Sequence, residues 1–343
     1  MNVLKELEKN GVMPIDKLNT EDRNKIARNI TDKLTSNVKE LSDSYNELFM
    51  RIANCDMFYA KIDSKFRGVF YYYKNNGIYI DNSYENTDSY LIHEMIHYLQ
   101  NFDNVNKKIK RAGLCQFLEF KLWGLGINEA VVQYITAKAQ GEKLHRINSS
   151  KISICSNSTD YKFLTSLASQ ILFLIGEEKA IKSCIHSTED FEEELYNTFE
   201  ESTDKIINGF DTIFEEIVKE EINIEKIINT YMLTQELIYK TYFKKALKRI
   251  ENERDIDYQV KQLDDYENII GKTNENNTWE ENFVNFKNEM ESNYLKKYME
   301  IGRRQQNSLI VISKNVFYNI FNKIFGFLRR KQRRRTIIIF LLN

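Results

Sequence analysis

Two of the four histidines in this 343-residue chain fall in one short stretch, Leu91-Ile92-His93-Glu94-Met95-Ile96-His97-Tyr98. On a helix, residues four apart lie about 40° apart around the axis and one turn apart along it. His93 and His97 therefore project from one face, where a tetrahedral Zn2+ can accept both imidazole nitrogens at about 2.0–2.1 Å. Glu94 is rotated by about 100° from His93, close enough to touch a water on the metal without being a ligand. A carboxylate there can take that water's proton as it attacks a carbonyl, then deliver the proton to a leaving amine.

A catalytic zinc needs a third protein ligand and one open position. His145 and His186 are the remaining imidazoles, and neither has a supporting motif. Glu129 is the better candidate. It lies in Gly126-Ile-Asn-Glu-Ala-Val-Val-Gln-Tyr134, 32 residues past His97, with Ile127, Ala130, Val131 and Val132 able to pack its helix against the first. A carboxylate in so apolar a segment calls for a partner.

LIHEMIHYLQ followed by GINEAVVQYIT resembles the paired signature of the gluzincin metallopeptidases, the thermolysin-like family. The resemblance covers roughly residues 55 to 140. It implies a zincin-like core in which His93, His97 and Glu129 bind zinc, Glu94 is the general base, and the substrate is a peptide or protein. It also implies that a hairpin ending Ile78-Tyr-Ile80 supplies the edge strand along which an extended substrate lies, read through its backbone.

There are two departures from the family pattern. The interval from His97 to Glu129 is longer, which predicts an insertion or an extra helical turn. The family's aspartate four residues after the ligand glutamate is here Gln133, an amide that can accept an imidazole N–H but adds no negative charge. The family's oxyanion-stabilising Tyr or His has three candidates in this chain, His186, Tyr161 and Tyr134.

The elements that must position these residues follow from patterning. Residues 1 to 50 place Ile26, Ile30, Leu34, Val38 and Leu41 at helical spacing, predicting one or two amphipathic helices. Gly68-Val-Phe-Tyr-Tyr-Tyr-Lys74 and Ile78-Tyr-Ile80, separated by Asn75-Asn76-Gly77, predict an antiparallel hairpin, the one clear β signal. Helices are expected over roughly 87–101, with Thr87 or Asp88 as N-cap, and 126–140, then over 159–182, 189–208, 210–250 and 280–300. The polar stretch 252–278 is expected to contain a loop or a frayed connection. The fold class expected is α+β and predominantly helical: a zincin-like core with a small antiparallel sheet, then a helical C-terminal region. Its segments would be 1–50, 51–150, 151–300 and a basic tail, 301–343.

Composition excludes several alternatives. One proline and 12 glycines are too few for collagenous or loop-rich all-β designs, and 42% apolar with 29% charged residues excludes a disordered chain. The net charge of −1 gives no overall case for nucleic acid as a partner. It hides an asymmetry, because residues 301–343 contain ten Lys or Arg and no acidic residue. Within that tail, 309–328 is amphipathic and Arg329–Arg335 is strongly basic, a pattern that suits an anionic membrane surface. A terminal helix packed on the core, with a solvated charge run after it, is the simpler expectation. The four cysteines form no C-x-x-C pair and read as reduced and structural. With no apolar leader and no run long enough to span a bilayer, the sequence reads as cytoplasmic. The rival to a hydrolytic zinc enzyme is a non-catalytic protein that keeps the same fold for binding.

Overall fold

The structure is a computed structural model. It describes residues 3–63, 66, 68–81, 83, 88–101, 111–118, 121–149, 152–253, 255–275 and 284–307. The described residues are mostly helical and fall into two compact units, Met1–Tyr242 and one built from Phe243–Glu275 with the helix that ends the described chain. The basic segment 309–335 lies outside the described residues.

The first unit opens with α1 (Val3–Lys9), β1 (Val12–Lys17), α2 (Thr20–Asn37) and α3 (Tyr45–Ala53). Asn19 caps α2 by accepting the Asp22 N–H at 2.8 Å. Ile30, Leu34, Val38 and Leu41 are buried, as their spacing predicts. The purely helical reading of 1–50 is corrected by β1, in which Pro14 sits beside a register shift, a position that tolerates a missing N–H.

β2 (Asp56–Ile62), β3 (Val69–Tyr72) and β4 (Gly77–Ile80) join β1 in a four-stranded sheet of order β1-β2-β4-β3. The β3–β4 hairpin has the expected antiparallel pairing, Phe70 opposite Tyr79 and Tyr72 opposite Gly77. Its turn uses Asn76 at φ +52°, a left-handed conformation that Asn tolerates. The sheet is mixed, because β2 and β4 run parallel. The hairpin stands at one edge of the sheet, with β3 outermost and Ile78–Ile80 one strand in.

α4 (Asp88–Asn101) packs on β3 and β4 and carries the H-E-x-x-H residues. The long interval before Glu129 holds no extra helical turn among its described residues. It holds a three-stranded meander, β5 (Arg111–Ala112), β6 (Cys115–Leu118) and β7 (Lys121–Trp123). α5 (Leu125–Ala139) follows and is buried on nearly every face, touching α2, α4 and later helices. A helix that is apolar all round belongs at the centre of a unit.

A second hairpin, β8 (His145–Ser149) with β9 (Ile152–Ser156), was not apparent in the patterning. The helix expected over 159–182 is two, α6 (Lys162–Ile175) and α7 (Glu178–His186); α9 (Thr203–Ile217) packs on α5, and α8 (Asp190–Phe199) lies against α7 and α9. α9 approaches so closely that a Cβ on Gly126 would stand 2.2 Å from the Phe210 carbonyl oxygen. α10 (Ile224–Asn252) runs out of this unit.

In the second unit, α11 (Ile256–Glu275) occupies most of the stretch 252–278, expected to contain a loop or a frayed connection. Its polar composition hides a stripe, Leu263 and Tyr266, that is buried against Phe243 and Tyr294. α12 (Val284–Asn307) contributes Tyr294 and Tyr298, and Lys297 bonds Glu251 at 2.9 Å.

Gly126→Ala tests the α5–α9 contact. With carbonyl backbone in the way, the helices must separate, at a cost of about 1–3 kcal/mol. Urea unfolding should show a lower midpoint; an unchanged midpoint would contradict the close approach.

Candidate metal centre

α4 and α5 bring the three predicted ligands together. Nε2 of His93 lies 3.3 Å from Glu129 Oε2, Nε2 of His97 lies 3.3 Å from Glu129 Oε1, and the two Nε2 atoms are 3.2 Å apart. A tetrahedral ion with bonds of about 2.0–2.1 Å separates its ligand atoms by about 3.3 Å. The two imidazole nitrogens therefore stand at the spacing of one tetrahedral edge, and the Glu129 carboxylate straddles them with one oxygen toward each. His93, His97 and Glu129 form the one metal-competent cluster among the described residues.

The site is buried, and its charged groups compensate one another. Burial alone would raise Glu129, but the charge and hydrogen bonds of the two histidines outweigh it and hold this carboxyl well below the usual carboxylate range. Burial would lower His97, yet the Glu129 carboxylate, both as charge and as acceptor, holds it up to about 9. Glu94 is also buried, and burial raises it against the opposing charge of His93 and His97.

Each imidazole is held from behind by an amide. Nδ1 of His93 meets Gln133 Oε1 at 2.9 Å, the contact expected of the residue four after Glu129. Nδ1 of His97 meets Gln100 Oε1 at 3.0 Å. Both histidines thus turn Nε2 toward Glu129, with Nδ1–H donated to an uncharged oxygen.

Glu94 Oε2 accepts the backbone N–H of Tyr71 on the edge strand β3 at 3.1 Å, and the Tyr71 ring lies along His97 with centroids 6.4 Å apart. The hairpin is thereby tied to Glu94 directly.

The candidates for oxyanion stabilisation separate. The ring of Tyr161 lies 6.1 Å from that of His93, and its backbone takes the uncommon φ of +49° just before α6. Tyr134 instead donates its hydroxyl to Glu177 at 2.9 Å, and Nδ1 of His186 lies 3.8 Å from Glu47 on α3. His145 bonds the Lys143 carbonyl. The four cysteines are buried and form no disulfide with one another; burial pushes Cys184 up to about 12, so it stays a thiol.

Several contributors were not read from sequence. Gln100 shares a helix face with His97 at i+3, so that spacing was available. Asp211 accepts the Gly124 and Gly126 N–H groups at 3.0 and 2.7 Å, capping α5 from α9, a residue 85 positions away from Gly126 with no local signal.

Comparison of the chain with protein families, curated proteins and solved structures gives no match. Among the described residues, no helix is long and apolar enough to cross a membrane.

The ligand set predicts a clean division among variants. Glu129→Ala should abolish tight zinc binding, while His145→Ala and His186→Ala should leave it unchanged. Calorimetric titration would read this, and retained affinity in the Glu129 variant would remove that residue from the set.

Proposed function

We propose that this protein is a zinc-dependent metallopeptidase of gluzincin type, its zincin-like core formed by the β1–β4 sheet with α4 and α5. The observation that carries this reading is the cluster of His93, His97 and Glu129 together with Glu94, a buried carboxylate next to His93 in sequence whose Oε2 accepts a backbone N–H. His93, His97 and Glu129 would hold the ion. Zinc at this position supplies Lewis acidity, polarising a peptide carbonyl and making water acidic enough to attack at neutral pH.

The chain's own residues do the rest. Glu94 takes the proton from the attacking water; its raised pKa makes it a stronger base than an exposed glutamate. It then carries the proton to the departing amine nitrogen, so that carboxylate and water are restored for the next cycle. The Tyr71 N–H orients the carboxylate for both transfers. Tyr161 is the candidate placed beside His93, where a phenol can donate to the oxyanion as the carbonyl becomes tetrahedral. Edge strand β3 offers backbone to an extended substrate, which suits a peptide or protein.

Two variants test the assignment. Glu94→Gln should retain zinc and lower kcat by about 10²–10⁴-fold, the usual range for loss of a general base. Undiminished cleavage would sink the mechanism. Tyr161→Phe should lower kcat by about 10²–10³-fold with KM little changed; a rise in KM alone would mean that Tyr161 only binds substrate.

A further inference from the structure

The two amides behind the histidines are built differently, although both are glutamines. Gln100 and Gln133 are 3% and 5% exposed, so each must find its partners inside the protein. Behind Gln100 stands Asn128, whose Oδ1 accepts Gln100 Nε2–H at 3.0 Å and the backbone N–H of Leu114 at 2.9 Å. Gln100 Nε2 also donates to Cys184 Sγ at 3.1 Å. Behind Gln133 stands Ser158, whose Oγ accepts Gln133 Nε2–H at 2.8 Å and the Asp160 N–H at 3.1 Å.

The difference lies in what can reverse. A backbone N–H can only donate, so Leu114 fixes which end of the Asn128 amide faces it. The same oxygen then faces the Gln100 NH2, which leaves Gln100 Oε1 toward His97. That oxygen can only accept, so Nδ1 carries the proton and Nε2 presents its lone pair to the metal. Turning either amide over would set donor against donor or acceptor against acceptor in a buried site. Ser158, in contrast, ends its chain with a hydroxyl that can rotate to donate.

The turn that carries Leu114 is pressed onto this chain. A Cβ on Gly113, at φ +58°, would stand 2.2 Å from both Gln100 Nε2 and Asn128 Oδ1. The Gly113 N–H donates to Ser187 Oγ at 2.7 Å, and that hydroxyl donates to the Gln100 carbonyl at 2.7 Å. The meander between the ligand helices is therefore wired to His97.

We propose that the β5–β6 turn, through the Leu114 N–H, Asn128 and Gln100, sets the tautomer and orientation of His97, making Asn128 and Gln100 positioning residues of the metal centre with a fixed hydrogen-bond polarity. This rests on the reading of His93, His97 and Glu129 as zinc ligands. It has a consequence that size and shape alone do not produce: the same substitution acts oppositely at the two glutamines. In Gln133→Glu the carboxylate meets a hydroxyl that rotates to donate, and the added negative charge makes His93 a better donor. In Gln100→Glu a carboxylate oxygen meets Asn128 Oδ1, which cannot turn away without presenting its NH2 to the Leu114 N–H.

The test is zinc affinity of the full chain by competition with a chromophoric chelator. Gln133→Glu should match or exceed the wild type. Gln100→Glu should bind about 10–100-fold more weakly, the range usual for loss of a group that orients a ligand. Gln100→Met, near in shape but without an acceptor, should weaken zinc by a similar factor and carries the test if the glutamate variant does not fold. Equal responses at positions 100 and 133, or a Gln100→Met affinity within twofold of the wild type, would overturn the proposal. Zinc bound without any peptide hydrolysis would count against the peptidase reading and leave the affinity contrast standing. A wild type that binds no zinc would overturn both.

Discussion

A buried carboxylate is tolerable only where opposite charge or strong donors compensate it, and Glu129 satisfies that condition through two imidazoles 3.3 Å away. Much of the first unit follows from this contact. Because the carboxylate and the imidazoles come from different helices, α4 and α5 must be held in fixed register and at fixed distance. An error of an ångström in either would leave a charge in an apolar interior without its partner.

The packing around α5 supplies that rigidity from all sides. Asp211 holds its first turn, and Gly126 lets α9 come into contact. The meander presses on Asn128, one residue before Glu129, and Gln133 links the same helix back to His93 and onward to Ser158. α4 is fixed by its position on β3 and β4, with the Tyr71 N–H on Glu94. The described part of the long interval between the two motifs supports the site it interrupts.

The core of the site was legible in the sequence because its determinants are local. His93, Glu94 and His97 depend only on helical spacing, and Glu129 and Gln133 depend on a second helix whose apolar character is plain. What was not legible depends on distant contacts. Nothing near Gly124 announces that Asp211 will cap α5, and nothing near Ser158 links it to Gln133. Which strand of the hairpin is outermost was not legible, because pairing order within a sheet is set by tertiary contacts, here a parallel β2–β4 pair that puts Ile78–Ile80 inside. The strand β1 and the helix α11 were missed for a related reason. Short or polar segments carry weak periodicity, and burial against a neighbour decides their state.

The uncharged amides behind both histidines distinguish this centre from one backed by carboxylates. They orient the imidazoles without adding electron density, so tight metal binding has to come from geometry. The most direct measurement is the zinc content of the purified full chain after equilibrium dialysis, beside His97→Ala. This account predicts about one zinc per chain, lost in the variant. No zinc in the wild type, even after reconstitution, would contradict it.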